Sequence, residues 1–198
     1  MKKSFFLIKL LIFCISCDDS NDLVNSSDKC NDYICTNILN DFTFKLSGSM
    51  IPYGDSSFDT IYDNENYFGV SSLATNGYDE KFDIFEPPST AGNWMSIFFP
   101  HSDWNQELGH NFTQDIKSNV LIAGENKIEW IFNVQSSIYG LVNFEVNIGG
   151  DLCDYCINSF EFVVDDESFF YQNNNFHNQS FFIENNNLIS CKIILEFR

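Results

Sequence analysis

Positive charge is scarce in this chain: 10 lysines and arginines stand against 28 aspartates and glutamates in 198 residues. Polyanions are poor partners for such a surface, which argues against nucleic acid and against anionic lipid headgroups. Histidine is scarcer still, and His101, His110 and His177 show no HExxH or similar metal-binding spacing. A Gly-x-Ser-x-Gly elbow, a P-loop and a dinucleotide-binding glycine pattern are all missing. Amphipathic helical patterning is nearly absent as well. The chain therefore reads as a non-catalytic protein. The alternative that these absences leave open is a hydrolase built on two carboxylates, because any two of so many acids can converge in space.

Aromatic residues are abundant, at 17%, and apolar residues make up 44% of the sequence. That is enough to bury, and it argues against disorder in spite of the charge. A single domain of this size removes about 70% of its unfolded surface from water. The apolar residues recur with period two. DFTFKLSG puts Phe42, Phe44 and Leu46 on one face, KIEWIFNV does so with Ile128, Trp130, Phe132 and Val134, and FEFVV with Phe160, Phe162 and Val164. The last segment alternates most cleanly, with Ile189, Cys191, Ile193, Leu195 and Phe197 inward. Phe68 to Leu73, Trp94 to Phe99, Leu141 to Ile148 and Ser180 to Ile183 are further strands. Turn signals separate them at Ser47-Gly48, Asn76-Gly77, Ala91-Gly92, Gly124 to Asn126, Gly149 to Asp151 and the asparagine runs 173–175 and 185–187. This predicts an all-β fold, an antiparallel β-sandwich of fibronectin or jelly-roll type with about eight strands, a flattened barrel being the alternative. No internal repeat divides it, so residues 37–198 form one domain.

The N-terminus, MKKSFFLIKLLIFCISCDDSND, has Lys2 and Lys3 ahead of an apolar run from Phe5 to Ile15 and turns acidic after Cys17. A run of this length is an export signal and is too short to span a bilayer. Ser16-Cys17 resembles a bacterial lipoprotein cleavage box, with Cys14 standing where that box usually has leucine. The resemblance implies removal of residues 1–16, acylation of Cys17, and an address on the outer membrane or cell surface, plain secretion being the alternative. Cleavage would remove three lysines and no acid, leaving 182 residues with a net charge of −21. Membrane attachment is then expected only through the lipid. Residues 17–36, rich in Asp, Asn and Ser, read as a tether.

The segment LATNGYDEKFDIFEPPSTAGNWMSIFFPHSDWNQELGHNFTQDI, Leu73 to Ile116, resembles a module of large secreted and cell-surface bacterial proteins. That module has a small-Thr-Asp-Gly-Tyr/Phe-Asp run, a Pro-Pro pair, then an aromatic strand closing on Phe-Pro-His and a Trp. The resemblance implies a β-sandwich surface module and no established catalytic residue. Asn76 stands where the pattern has Asp, which weakens a metal role for that turn. The strand after Trp130 also fits, and the cysteine-bearing loop from Gly149 does not.

Beyond Cys17 the exported chain carries Cys30, Cys35, Cys153, Cys156 and Cys191. CNDYIC and CDYC have zinc-like spacing, but thiols outside the cytoplasm oxidise, so Cys30, Cys35, Cys153 and Cys156 are read as two disulfides with connectivity open. Cross-links between the two motifs would close a loop long enough to contribute about 4 to 5 kcal/mol in the chain-entropy account. Cys191 reads as a buried thiol. No cofactor is expected other than calcium, for which Asp79, Glu80, Asp83 and Glu86, or Asp55, Asp59, Asp63 and Glu65, are the acid-rich candidates; neither run follows the EF-hand pattern. Trp104, Tyr78, Tyr53, Tyr62 and Tyr67 fall in or beside loops and are the candidates for stacking on a carbohydrate or anchoring an envelope protein. Around His101 a different reading prevails. Met95, Ile97 and Phe99 face the core, Pro100 ends the strand, His101 to Asp103 make a polar turn, and Trp104 folds back over the strand end as a structural corner.

Overall fold

A computed structural model describes residues 38–54, 59–89, 91–104, 107, 109–148, 157–164, 167–171, 179–184 and 186–198. Among them eleven strands run in the order β1 (Phe42–Pro52), β2 (Ile61–Ser71), β3 (Met95–Pro100), β4 (Asn111–Phe112), β5 (Gln114–Ser118), β6 (Lys127–Ser136), β7 (Gly140–Ile148), β8 (Ile157–Val164), β9 (Glu167–Tyr171), β10 (Gln179–Ile183) and β11 (Leu188–Phe197). They form a five-stranded sheet, β10-β7-β1-β2-β5, and a six-stranded sheet, β4-β3-β6-β11-β8-β9. The fold is an all-β sandwich. Pairing is antiparallel throughout both sheets except where β5 runs parallel to β2.

Alternation in the sequence becomes the core directly. Phe44, Leu46 and Met50 of β1 and Phe68 of β2 are wholly buried, as are Trp130, Phe132 and Val134 of β6 and Cys191, Ile193 and Leu195 of β11. Rings from the two sheets meet edge to face: Phe132 and Phe144 at 5.6 Å with planes 88° apart, and Phe68 tilted on Trp130 at 5.3 Å. Each such side chain contributes roughly 1.5 to 3 kcal/mol by leaving water. Ser47-Gly48 is not a turn. It lies inside β1, beside the irregularity that one extra residue of β2 creates, and a β-carbon on Gly48 would collide with Ile97 Cδ1. The glycine lets the sheets approach at that point. Leu73 likewise falls outside β2, 79% exposed in the turn that follows. Asn186, in the expected Asn-rich turn before β11, adopts the left-handed conformation with φ 58°.

Strand edges are closed by side chains. Asp83 Oδ1 accepts from Ile116 N at 3.2 Å and Asn76 Oδ1 from Ser118 N at 3.1 Å, which caps the free edge of β5. Asp63, on β2, reaches across to the other sheet and accepts from Ile97 N at 2.6 Å. An uncapped edge would offer its amides to any extended chain.

Candidate functional site

Tyr53 keeps the outward parity of β1, Tyr139 that of β7, and Phe182 points out from β10, so all three rings come to one end of the outer face of the five-stranded sheet. Their separations are 5.2 Å for Tyr53–Tyr139, 6.0 Å for Tyr53–Phe182 and 5.6 Å for Tyr139–Phe182. The last pair is stacked and the other two are edge to face. Exposures of 67, 38 and 52% leave part of each ring to solvent, and Ile51 beside them is 51% exposed. Tyr53 N donates to Tyr139 O at 3.0 Å, which fixes the first two rings together.

Along the same face a groove of about 320 Å³ runs over Ser47, Ser49, Asn64, Asn143 and Asn147, with Tyr62 at its side. Tyr62 is 64% exposed. Ser180 donates to Asn143 Oδ1 at 2.6 Å, orienting that amide. Of the two charged residues that line the groove, Glu145 is exposed and Lys45 is paired outside it. Glu65 accepts from Lys45 at 2.8 Å and from the Tyr67 hydroxyl at 2.6 Å, and the ammonium holds the Glu65 carboxyl below the usual range. Tyr67 is thereby pinned on the sheet. From Tyr53 to Ser47 the face extends about 20 Å at ~3.4 Å per residue, and it offers flat rings followed by amides and hydroxyls. Tyr139 and Phe182 were not among the sequence candidates; the outward position of the second ring in QSFFI was the signal for Phe182.

Tyr78 and Trp104 are placed differently. Trp104 is 7% exposed and packs with Tyr78 and Phe85 on Phe112. His101 stacks flat on Trp104, ring centres 3.5 Å apart and planes 4° from parallel. His101 N donates to His110 O at 2.8 Å, Trp104 N to His101 O at 3.2 Å, and His110 Nδ1 to Trp104 O at 3.0 Å. This is the structural corner at the end of β3. Ser96 and Phe98, which alternate away from the core, are buried too, because the segment around Glu86 lies over them.

Five of the acid-rich candidates, Asp63, Glu65, Asp79, Asp83 and Glu86, are engaged by the protein itself. Asp83 is 2% exposed and also accepts from Asp79 N at 2.6 Å. Burial pushes its carboxyl up to about 6, with the two amide donors pulling the other way and Asp115 and Asp79 adding repulsion. Burial likewise pushes Glu86 up to about 7, against the hydrogen bond it accepts from Ser96 at 2.6 Å. Asp63 is raised by burial and lowered by the Ile97 amide. Glu80 and Asp59 are exposed, and Asp55 lies outside the described residues. Among the described residues no three His, Cys, Asp or Glu side chains gather around a point that could hold a metal ion. Glu86 has the raised carboxyl of a general acid, but among the described residues it is the one carboxylate lining its cleft of about 220 Å³. Cys17, Cys30, Cys35, Cys153 and Cys156 lie outside the described residues, and Cys191 is buried in β11. No described helix is long and apolar enough to cross a membrane. Compared with protein-family models, curated proteins and solved structures, the chain has no match.

Proposed function

We propose that this chain is an exported or lipid-anchored β-sandwich of the bacterial envelope that binds carbohydrate, without catalysis, on the outer face of its five-stranded sheet. One observation carries the reading: three solvent-facing rings, held in fixed relative orientation, continue into a groove of amides and hydroxyls. Flat apolar rings suit the C–H faces of a sugar, and fixed amides and hydroxyls suit its hydroxyl groups. The formal charge of −18 favours a neutral glycan over an acidic one. In this reading Cys17 provides the anchor and residues 17–36 the reach.

The test is a screen of the exported domain against immobilised neutral polysaccharides and against envelope extract, run beside a Tyr53→Ala/Phe182→Ala variant. Glycan capture by the parent, lost in the variant and with no release of reducing ends, supports the reading. Capture of a protein through the same rings, or reducing ends appearing in proportion to enzyme, would replace it with the protein-ligand or the hydrolase alternative.

A further inference from the structure

On the side of the sandwich away from those rings, the turn after β3, strand β5 and the start of β6 enclose a cleft of about 480 Å³. Asp115, on β5, lines it and is 1% exposed. Its Oδ2 lies 3.1 Å from His101 Nε2, while its Oδ1, buried as well, has no hydrogen-bond partner among the described residues. A buried carboxylate oxygen without a donor is costly to keep. The surroundings do not supply one. Lys117 is committed to the Glu129 carbonyl at 2.7 Å and Lys127 stands 4.0 Å from Glu196. The other titratable groups of the lining, Asp103, Glu125 and Glu129, are acids, Glu129 standing 3.4 Å from Lys192 and Asp103 3.8 Å from His101, so carboxylates outnumber ammonium groups there. Val120, Ile122 and Ile131 of the same lining are apolar and are 52, 61 and 42% exposed.

We propose that this cleft takes an aliphatic cation, an alkylammonium or guanidinium on a hydrocarbon stem, with the charged head on Asp115 and the stem along Val120, Ile122 and Ile131. Excess carboxylate selects positive charge, and the buried oxygen lacks just the donor that such a head supplies. Those apolar side chains select a stem over a hydrated inorganic ion. Two sources present this chemistry, a free amine and the basic side chain of a protein. His101 lies between Asp115 and Trp104, so a head group that engages the carboxylate shifts the His101 ring and alters tryptophan emission. The site is separate from the carbohydrate face and does not depend on it.

The experiment follows tryptophan emission of the intact exported chain during titration with n-butylammonium chloride, with a capped lysine-containing peptide, and with n-butanol as the uncharged control. Saturable change is expected with the amine or the peptide and none with butanol; tighter binding of the peptide points to a protein source, and tighter binding of the amine to a free one. Asp115→Asn is expected to weaken the response by about tenfold or more. Because that variant alters a buried group, Ile122→Arg serves beside it: an exposed position that brings its own guanidinium to the cleft and is expected to abolish binding. Absence of a saturable response in the parent, or unchanged affinity in Ile122→Arg, overturns the proposal.

Discussion

Two aromatic clusters of similar size sit on this sandwich, and their rings are held in opposite ways. Tyr53, Tyr139 and Phe182 occupy outward positions of the five-stranded sheet and stay partly in water. Trp104, Phe112, Tyr78 and Phe85 close the other end of the molecule, with Trp104 at 7% exposure and Phe112 at none. The corner is locked by polar contacts around its rim, the His101–Asp115 pair and the His110–Trp104 bond among them. Around the exposed trio the backbone does the positioning, and only one hydrogen bond, from Tyr53 N to Tyr139 O, ties two of its members. Ring content alone therefore does not mark a binding site. Parity within the strand and the cover that a loop provides decide whether a ring can meet a ligand.

The largest expected effect belongs to the corner. Trp104→Ala removes a buried ring and its stack on His101, and should lower stability by about 3 to 5 kcal/mol in urea denaturation; a loss under ~1 kcal/mol would mean the corner is not core. His101→Ala is next. It strips the buried Asp115 carboxylate of its one hydrogen-bond partner among the described residues, so about 2 kcal/mol is expected, more than an ordinary hydrogen bond gives. If that variant melts with the parent, the His101–Asp115 contact does not stabilise the fold. On the exposed side, Tyr53→Ala/Phe182→Ala should shift stability by no more than about 0.5 to 1 kcal/mol.

A pH-dependent effect sharpens the contrast between buried and exposed acids. Asp83 and Glu86 have folded values of about 6 and 7, above the ordinary 3.8 and 4.5. Protonation is thus favoured in the folded state, so their contribution to stability is full below about pH 4 and is lost as pH rises through 6 and 7. Denaturation midpoints should be higher at pH 5 than at pH 8. Glu86→Gln, which keeps an acceptor for Ser96, should flatten the profile. A profile equally steep in that variant would assign the slope to general charge repulsion instead.

How much of this was legible in the sequence varies with the kind of contact. β11 and β6 were readable because their residues alternate cleanly and both belong to the interior of a sheet. β4 and β5 were not, since a two-residue strand and the partly polar QDIKS carry too little pattern, and the first half of β2, YDNENY, interrupts its own alternation with a bulge. Gly48 read as a turn because glycine has two uses, and close sheet approach leaves no separate mark in one sequence. Asp63 and Asp83 suggested calcium because acids were near one another in the chain. In space each caps an amide from a distant strand, 34 and 33 residues away, which no local spacing could reveal. Tyr53, Tyr62 and Tyr67 were read as loop aromatics, but Tyr62 and Tyr67 lie within β2, paired with β1. The trio itself needed the register of β7 against β1 and β10.

The central claim is that outward rings bind and corner rings only hold the fold. It is tested most directly by electrophoresis in native gels cast with a neutral glucan, xylan or mannan, comparing the parent, Tyr53→Ala/Phe182→Ala and a folded fraction of Trp104→Ala. The account predicts that one of these polysaccharides retards the parent and Trp104→Ala alike, while the double variant, equally folded, runs unretarded because it has lost about 2 kcal/mol of binding. Retardation that survives in the double variant and disappears in Trp104→Ala would contradict it.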